Sequence, residues 1–135
     1  MLRPEILAKF EDHGVLPTPQ RLEVADVLLC KPQHLSADQI IDKLREENSS
    51  VSKATVYNTL NLFEKRGLVK ECLVDPERRF YDSTTQPHHH FYNADTGELS
   101  DIPMDDIEVS GLPQPPTGTQ LEGTELIIRV RNTAA

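Results

Sequence analysis

Residues 52–67 do most to limit what this chain can fold into, because three independent signals there predict one helix. Ser52 stands where a helix N-cap is expected, and Gly67 stands where the helix ends. Between them, apolar side chains recur every three or four residues at Val56, Leu60 and Phe63. A helix with a single apolar face needs other elements to pack against, so the neighbouring segments must supply the rest of a core.

The opposite face of this helix has a different character. It carries small or planar hydrogen-bonding groups, a lysine and a tyrosine: Lys53, Thr55, Tyr57, Asn58 and Asn61. Side chains of these types reach base edges when a helix lies in the major groove of DNA. We therefore predict a base-contacting helix, and the alternative is a polar face that only keeps a packed helix in water.

Three shorter helices are predicted before this one. The first covers residues 4–13, has Leu2, Ile6, Leu7 and Phe10 on its inner side, and ends at Gly14.

The second and third predicted helices have clear start signals. Thr18 is a suitable N-cap, with Pro19 at the first helical position, and Ser36 with Gln39 forms a capping box. Pro32 ends the second helix, and His34 falls in the loop that follows.

A β-hairpin is predicted directly after the long helix. Residues 68–74 and 78–82 are two strands joined by the turn DPER, with Arg78 and Arg79 near its tip. A hairpin after a group of three helices is the layout of a winged helix-turn-helix, in which tip arginines contact phosphates. Helical trios are common, however, and simple packing of small helices is the open alternative.

Charge divides the chain into two segments. Residues 1–80 carry 12 basic and 13 acidic side chains, whereas residues 81–135 carry 2 and 9. The overall charge of −8 argues against indiscriminate binding of nucleic acid, but it is compatible with a locally basic face on the first segment.

The second segment is predicted to be mostly strands. HHHFY, ELSDIP and TELIIRVR have strand character, and residues 103–122 are an irregular connection rich in proline and glycine. Three short strands bury little apolar surface alone. We expect a second copy of the chain to cover them, and a homodimer also suits DNA with two half-sites.

A run of three histidines is the strongest chemical feature. On a strand, His88 and His90 share one face and His89 points to the other; Asp82 precedes the run and Asp101 follows it. Imidazoles and carboxylates together suit iron, manganese or zinc.

The sequence lacks the features of cysteine-based sites and of membrane or secreted proteins. The only cysteines, Cys30 and Cys72, are isolated, which excludes a CxxC zinc site and a disulfide framework. Without a long apolar run or a secretory signal, we expect a cytoplasmic protein with no membrane partner.

Several of these segments together resemble the ferric uptake regulator family of metal-responsive bacterial repressors. They are TPQRLEVADVL, HLSADQI, SKATVYNTLNLFEKRGLV and RFYDSTTQPHHHFYNADTGELSDIP, and the resemblance covers about residues 10–103 and the last strand. It implies an α+β fold: a winged helix-turn-helix DNA-binding domain at residues 1–82, and a small α/β, mostly β, dimerisation and metal-sensing domain at residues 83–135.

The resemblance also implies a ligand set for a regulatory metal at the junction of the two domains: His34, Asp82, His88, His90 and Asp101. These ligands imply Fe²⁺ or Mn²⁺ in the cell, with Zn²⁺ accepted in vitro. Aspartate at the last of these positions is similar to the peroxide-sensing branch, in which bound iron lets peroxide oxidise ligand histidines.

The chain departs from the family pattern at three places. Asn93 and Thr96 replace the first CxxC pair, so no structural zinc is expected. Pro87 replaces a histidine of the secondary metal site, leaving only His89 and Glu108. LPQPPTG replaces a helix, a feature similar to the iron response regulator branch, whose members can answer to haem. That branch's Cys-Pro motif is missing here.

The resulting hypothesis is a homodimeric, metal-dependent repressor of a palindromic operator, with no catalytic residues and no small-molecule substrate. The outer face of the long helix would contact bases through Thr55, Tyr57, Asn58 and Asn61, and phosphates or an adjacent groove would be held by Arg21, Lys53 and Arg79. A haem- or peroxide-sensing regulator is the first alternative. A small histidine–carboxylate metalloenzyme is the second, and it is disfavoured because five ligands leave little room for a substrate.

Overall fold

The computed structural model describes residues 1–75 and 77–134. The chain divides into two compact units, Met1–Thr85 and Gln86–Ala135. The functional ranges 1–82 and 83–135 stay a prediction. Within the described residues, every helix is too short or too polar to span a membrane.

Four α-helices make up most of the first unit: α1 is Arg3–Asp12, α2 is Pro19–Leu28, α3 is Ala37–Glu46 and α4 is Lys53–Lys65. The three predicted caps are confirmed. The side-chain oxygens of Thr18, Ser36 and Ser52 accept backbone N–H groups of the residues three positions later, at 3.2, 3.2 and 3.1 Å. Each cap satisfies a donor that the first helical turn leaves without an intrahelical partner.

The core of the first unit is built from the apolar faces of these helices. Phe10 and Phe63 are fully buried, with ring centroids 5.4 Å apart. The prediction that Leu2 and Leu7 face this core is wrong, because their exposed fractions are 71% and 40%. Leu2 lies before the first turn as the N-cap, and Leu7 is turned by about 100° from Ile6, away from the buried stripe.

The first sheet completes a winged helix-turn-helix. It contains β1 at His34–Ser36, β2 at Lys70–Asp75 and β3 at Arg78–Asp82, in the antiparallel order β1-β3-β2. The prediction of a loop at His34 is wrong, since this segment pairs with the open edge of β3. The hairpin turn predicted at 75–78 includes Pro76, which lies outside the described residues.

The second unit is a three-stranded sheet. Its strands are β4 at His89–Asn93, β5 at Leu99–Ile102 and β6 at Ile127–Val130, in the order β5-β4-β6. Strand β6 runs parallel to β4, which requires a long crossover, and residues 103–126 supply one. Within this connection, Met104–Asp106 form a 3₁₀ turn and the other described residues are irregular, as predicted.

Candidate metal centre and nucleic-acid interface

Two histidines of the second unit converge on one carboxylate oxygen. His90 on β4 lies opposite Asp101 on β5, and His88 directly precedes β4. The Nε2 atoms of His88 and His90 lie 3.4 and 3.5 Å from Oδ1 of Asp101. The two imidazole rings are close to each other, with centroids 4.4 Å apart. Alternation along one strand, together with strand pairing, therefore brings these three side chains to one point.

The hydrogen bonding of His88 prepares its Nε2 atom as a ligand. Its Nδ1 lies 2.7 Å from the backbone carbonyl oxygen of Gln86, which can only accept, so Nδ1–H is the donor. A neutral ring protonated at Nδ1 carries its lone pair on Nε2, the atom that faces Asp101. Backbone support of this kind commonly fixes the ring and tautomer of a metal-binding histidine.

The separations within this group fit a transition metal. Two ligands that each lie about 2.1 Å from one ion are roughly 3.0–3.4 Å apart in octahedral or tetrahedral geometry. One ligand atom from each of His88, His90 and Asp101 lies within 4.8 Å of the others. Two imidazole nitrogens and a carboxylate oxygen suit iron, manganese or zinc. The histidines are buried and Asp101 is exposed, so an ion would enter past Asp101.

His89, the middle histidine, has a different environment. It is 1% exposed, and its Nδ1 accepts the backbone N–H of Leu126 at 2.9 Å. This bond connects β4 with the residue that precedes β6. This role could not be predicted from the sequence, because the parallel pairing of β6 with β4 is a long-range feature.

The two predicted ligands of the first unit are neighbours in its sheet. His34 on β1 is the register partner of Asp82 on β3. Asp82 is buried, and its Oδ1 accepts the backbone N–H of Thr84 at 2.8 Å. Each unit thus presents one compact set of metal-capable side chains. That all five bind one ion stays a prediction.

The outer face of α4 presents most of the predicted DNA-contacting residues to solvent. Lys53, Tyr57, Asn58 and Asn61 are exposed. Thr55 is half-buried, and its hydroxyl accepts a hydrogen bond from the Ser52 hydroxyl at 2.9 Å, so its side chain takes part in the helix cap.

Arg21 lies beside α4 on the same surface. Its guanidinium donates to the backbone carbonyl of Leu16 at 2.8 Å. Together with Thr55 and Asn58 it lines a groove of about 370 Å³ between α2 and α4. Three of the predicted DNA-contacting residues therefore share one concave surface of the first unit.

Arg79, on the wing, pairs with Glu71 on the neighbouring strand. Its Nε lies 2.9 Å from Oε1 of Glu71. Tyr81 and then the Glu71 charge raise the pKa of Arg79, so the guanidinium stays protonated. Burial raises the pKa of Tyr81 above its ordinary value, so its hydroxyl stays neutral.

The family of this chain follows from comparison with known proteins. Residues 12–128 match the sequence model described as Ferric uptake regulator family. The chain belongs to this family. It is 33% identical over 107 residues to the peroxide operon regulator of Bacillus subtilis (strain 168), a match that covers 77% of this chain and 74% of that protein.

Solved structures of this family have the same fold. The ferric uptake regulator of Pseudomonas aeruginosa with manganese superposes with a TM-score of 0.71 at 26% identity, covering 94% of this chain and 97% of that one. The regulator of Vibrio cholerae gives 0.73 at 26% identity, covering 93% and 98%. The predicted fold class is confirmed. Family members are metal-responsive transcription regulators, so this chain is a regulator and not an enzyme.

Asn93 and Thr96, which replace the first CxxC pair of the family pattern, lie at the turn between β4 and β5. Oδ1 of Asn93 accepts the backbone N–H groups of Asp95 and Thr96 at 2.9 and 3.1 Å. The Asn93 side chain also donates to Oδ1 of Asn132 at 2.8 Å, beyond β6. These side chains close the turn between β4 and β5 through amide hydrogen bonds.

Proposed function

We propose that this family member is a metal-dependent transcription regulator that binds a palindromic operator in duplex DNA as a homodimer. The observation that carries the proposal is the shared approach of His88 and His90 to one oxygen of Asp101. A ready-made nitrogen and oxygen ligand set, in a chain that also contains a winged helix, couples a metal signal to DNA binding. Because it acts on DNA, we place the protein in the cytoplasm.

We further propose that His34 and Asp82 of the first unit complete the ligand set begun by His88, His90 and Asp101. A bound divalent ion supplies positive charge that holds these donors together. His88 takes part through Nε2 because its Nδ1–H is engaged by Gln86. Hard oxygen ligands beside imidazoles favour Fe²⁺ or Mn²⁺ in the cell, and Zn²⁺ enters readily in vitro. The manganese in the Pseudomonas aeruginosa structure supports an ion of this class.

Metal binding would act by selecting conformations. Ligands drawn from both units would be satisfied together only in some arrangements of those units, and binding would favour these arrangements through its higher affinity for them. In a dimer, the selected arrangement would set the spacing of two copies of α4 to match two operator half-sites.

DNA recognition is assigned to the first unit. Exposed Tyr57, Asn58 and Asn61 on α4 contact base edges. Thr55 also contributes to these contacts, although its hydroxyl is hydrogen-bonded by the Ser52 hydroxyl. Phosphates or an adjacent groove are held by Arg21, Lys53 and Arg79. Each cation that contacts a phosphate adds to the salt dependence of binding.

The second unit is assigned to dimerisation. Apolar side chains of its sheet are exposed in the single chain: Phe91 at 41%, Ile127 at 36% and Ile128 at 38%. Burying them against a second copy would remove this apolar surface from water, which favours association.

A peroxide response is the second candidate, and the Bacillus subtilis relative favours it. In that version, iron held by the same ligands would make one of the histidines a target of oxidation by peroxide, and loss of that ligand would release the DNA. A haem response through the histidine run remains a variant of this proposal.

DNA binding with and without metal tests the proposal. Anaerobically purified protein is loaded with Mn²⁺ and used to select duplexes from a randomised library, and affinity is then measured after removal of the metal with a chelator. We expect selected sequences with two-fold symmetry, and binding that weakens sharply on chelation and with added salt. Equal binding in the presence and absence of metal would contradict metal dependence.

A further inference from the structure

The strand pair that carries His34 and Asp82 continues for one residue beyond them. Gln33 directly precedes His34, and Ser83 directly follows Asp82. The backbone N–H of Ser83 donates to the carbonyl oxygen of Gln33 at 2.9 Å. In return, the backbone N–H of Gln33 donates to Oγ of Ser83 at 2.9 Å. A side-chain oxygen therefore serves as an acceptor at this end of the ladder.

The Ser83 hydroxyl also joins this end of the ladder to the loop that follows α2. Its oxygen lies 3.1 Å from the carbonyl oxygen of Gln33 and 3.2 Å from that of Lys31, and its O–H donates to them. The side-chain amide of Gln33 donates to the carbonyl oxygens of Val27 and Leu28, at 2.8 and 3.0 Å, where α2 ends. Ser83 is therefore connected through Gln33 to the last turn of α2.

These contacts determine how His34 and Asp82 face each other. In an antiparallel ladder, pairs that exchange backbone hydrogen bonds alternate with pairs that do not, and the side chains of the second kind lie closer together. The backbone bond from Ser83 to Gln33 makes that pair one of the first kind. The neighbouring pair of His34 and Asp82 is therefore of the second kind. Its register and separation depend on the pairs on either side, and Ser83 closes the outer one.

A hydroxyl is required at position 83 because the chain leaves the strand there. Oδ1 of Asp82 accepts the backbone N–H of Thr84 at 2.8 Å, which turns the chain directly after β3. An alanine at position 83 would offer no side-chain acceptor to the N–H of half-buried Gln33, and an unsatisfied donor costs free energy. The loop before β1 would then be held less firmly, and His34 with it.

We propose that Ser83 is a positioning residue for metal binding: its hydroxyl fixes the loop before β1, so that His34 is held beside Asp82 as a ligand pair. Ser83 itself binds no metal in this account and acts through these two residues. Ligands that are held in place beforehand lose less conformational freedom on binding, which favours higher affinity. This inference rests on the proposed function, since it requires that His34 and Asp82 belong to the ligand set.

The inference predicts different effects for substitutions that remove or keep the hydroxyl. Ser83→Ala should lower Zn²⁺ affinity about five-fold, the effect of roughly one hydrogen bond. Ser83→Thr keeps the hydroxyl and should retain most of the affinity. Ser83→Val has the same branched shape without a hydroxyl, so it should weaken binding as Ser83→Ala does. In a background that carries His34→Ala and Asp82→Asn, Ser83→Ala should have no further effect.

The test measures Zn²⁺ affinity of the full-length protein by competition with a chromophoric chelator. Zn²⁺ is used because it binds nitrogen and oxygen sites more tightly than Mn²⁺, which keeps weakened variants measurable. The matched control is Ser49→Ala, since Ser49 is also half-buried and its Oγ accepts the backbone N–H of Val51 at 3.2 Å, between α3 and α4. This variant should leave Zn²⁺ affinity unchanged. Urea midpoints of the metal-free proteins report whether each variant folds.

Several results would overturn the inference. They are wild-type Zn²⁺ affinity in Ser83→Ala, an equal loss in both backgrounds, an equal loss in Ser83→Thr and Ser83→Val, and a loss in Ser49→Ala as large as in Ser83→Ala. If Ser83→Ala does not fold, Ser83→Val is compared with Ser83→Thr in both backgrounds instead. A wild type that binds no Zn²⁺ would show that the proposed function is wrong, as would full affinity in the variant with His34→Ala and Asp82→Asn.

Discussion

Replacing His89 by leucine tests whether this histidine has a structural role, in contrast to His88 and His90, which we propose to bind metal. The substitution leaves the Leu126 N–H without its acceptor, Nδ1 of His89, which lies 2.9 Å away. A buried donor left unsatisfied costs about 1–3 kcal/mol. Leu126 is half-buried, so water partly compensates and the lower part of this range applies. With leucine filling most of the ring volume, we expect the free energy of unfolding to fall by about 1–2 kcal/mol.

Urea unfolding of the chelated protein measures this change, at one fixed protein concentration because a dimer's stability depends on it. With a slope of about 2 kcal/mol per molar, the midpoint should fall by roughly 0.5–1 M. The comparison variant is His90→Leu, which should lower Mn²⁺ affinity at least ten-fold. Full stability of His89→Leu, or a loss of Mn²⁺ affinity as large as that of His90→Leu, would contradict a structural role for His89.

Three further predictions concern the metal centre and α4. Asp101→Asn should lower Mn²⁺ affinity at least ten-fold by calorimetric titration, with little change in the urea midpoint because Asp101 is exposed; unchanged affinity would remove Asp101 from the ligand set. Ser52→Ala should lower the free energy of unfolding by about 1 kcal/mol, since the Thr55 N–H loses its acceptor, and an unchanged thermal midpoint would argue against the cap. In the peroxide version, mass spectrometry should find added oxygen on His34 or His88 after peroxide treatment only when iron is loaded, and unmodified peptides would count against that version.

The helices of the first unit could be predicted because their signals are local. The caps at Thr18, Ser36 and Ser52 lie within three residues of the donors they satisfy, and the Val56–Phe63 stripe repeats within one helix. Propensity, periodicity and capping agreed there, so the structure follows from the sequence with small shifts at the helix ends.

The features that could not be predicted from the sequence depend on pairing between strands far apart in the chain. Strand β1 forms because β3 offers an open edge more than forty residues later, so His34 had no local strand signal. The bond from Leu126 to His89 depends on β6 running parallel to β4, and the pairing of Tyr81 with Glu71 depends on the hairpin register. The metal-capable residues could be named from the sequence, but their shared approach to one oxygen of Asp101 required the structure.

The most direct test of metal-controlled DNA binding is the Mn²⁺ affinity of the protein measured with and without operator DNA. Coupling between two binding sites is reciprocal, so DNA must change metal affinity by the same factor by which metal changes DNA affinity. We predict tighter Mn²⁺ binding in the presence of operator, by about 5- to 150-fold, and no such change with a duplex of unrelated sequence. Identical Mn²⁺ affinity with and without operator would contradict the account.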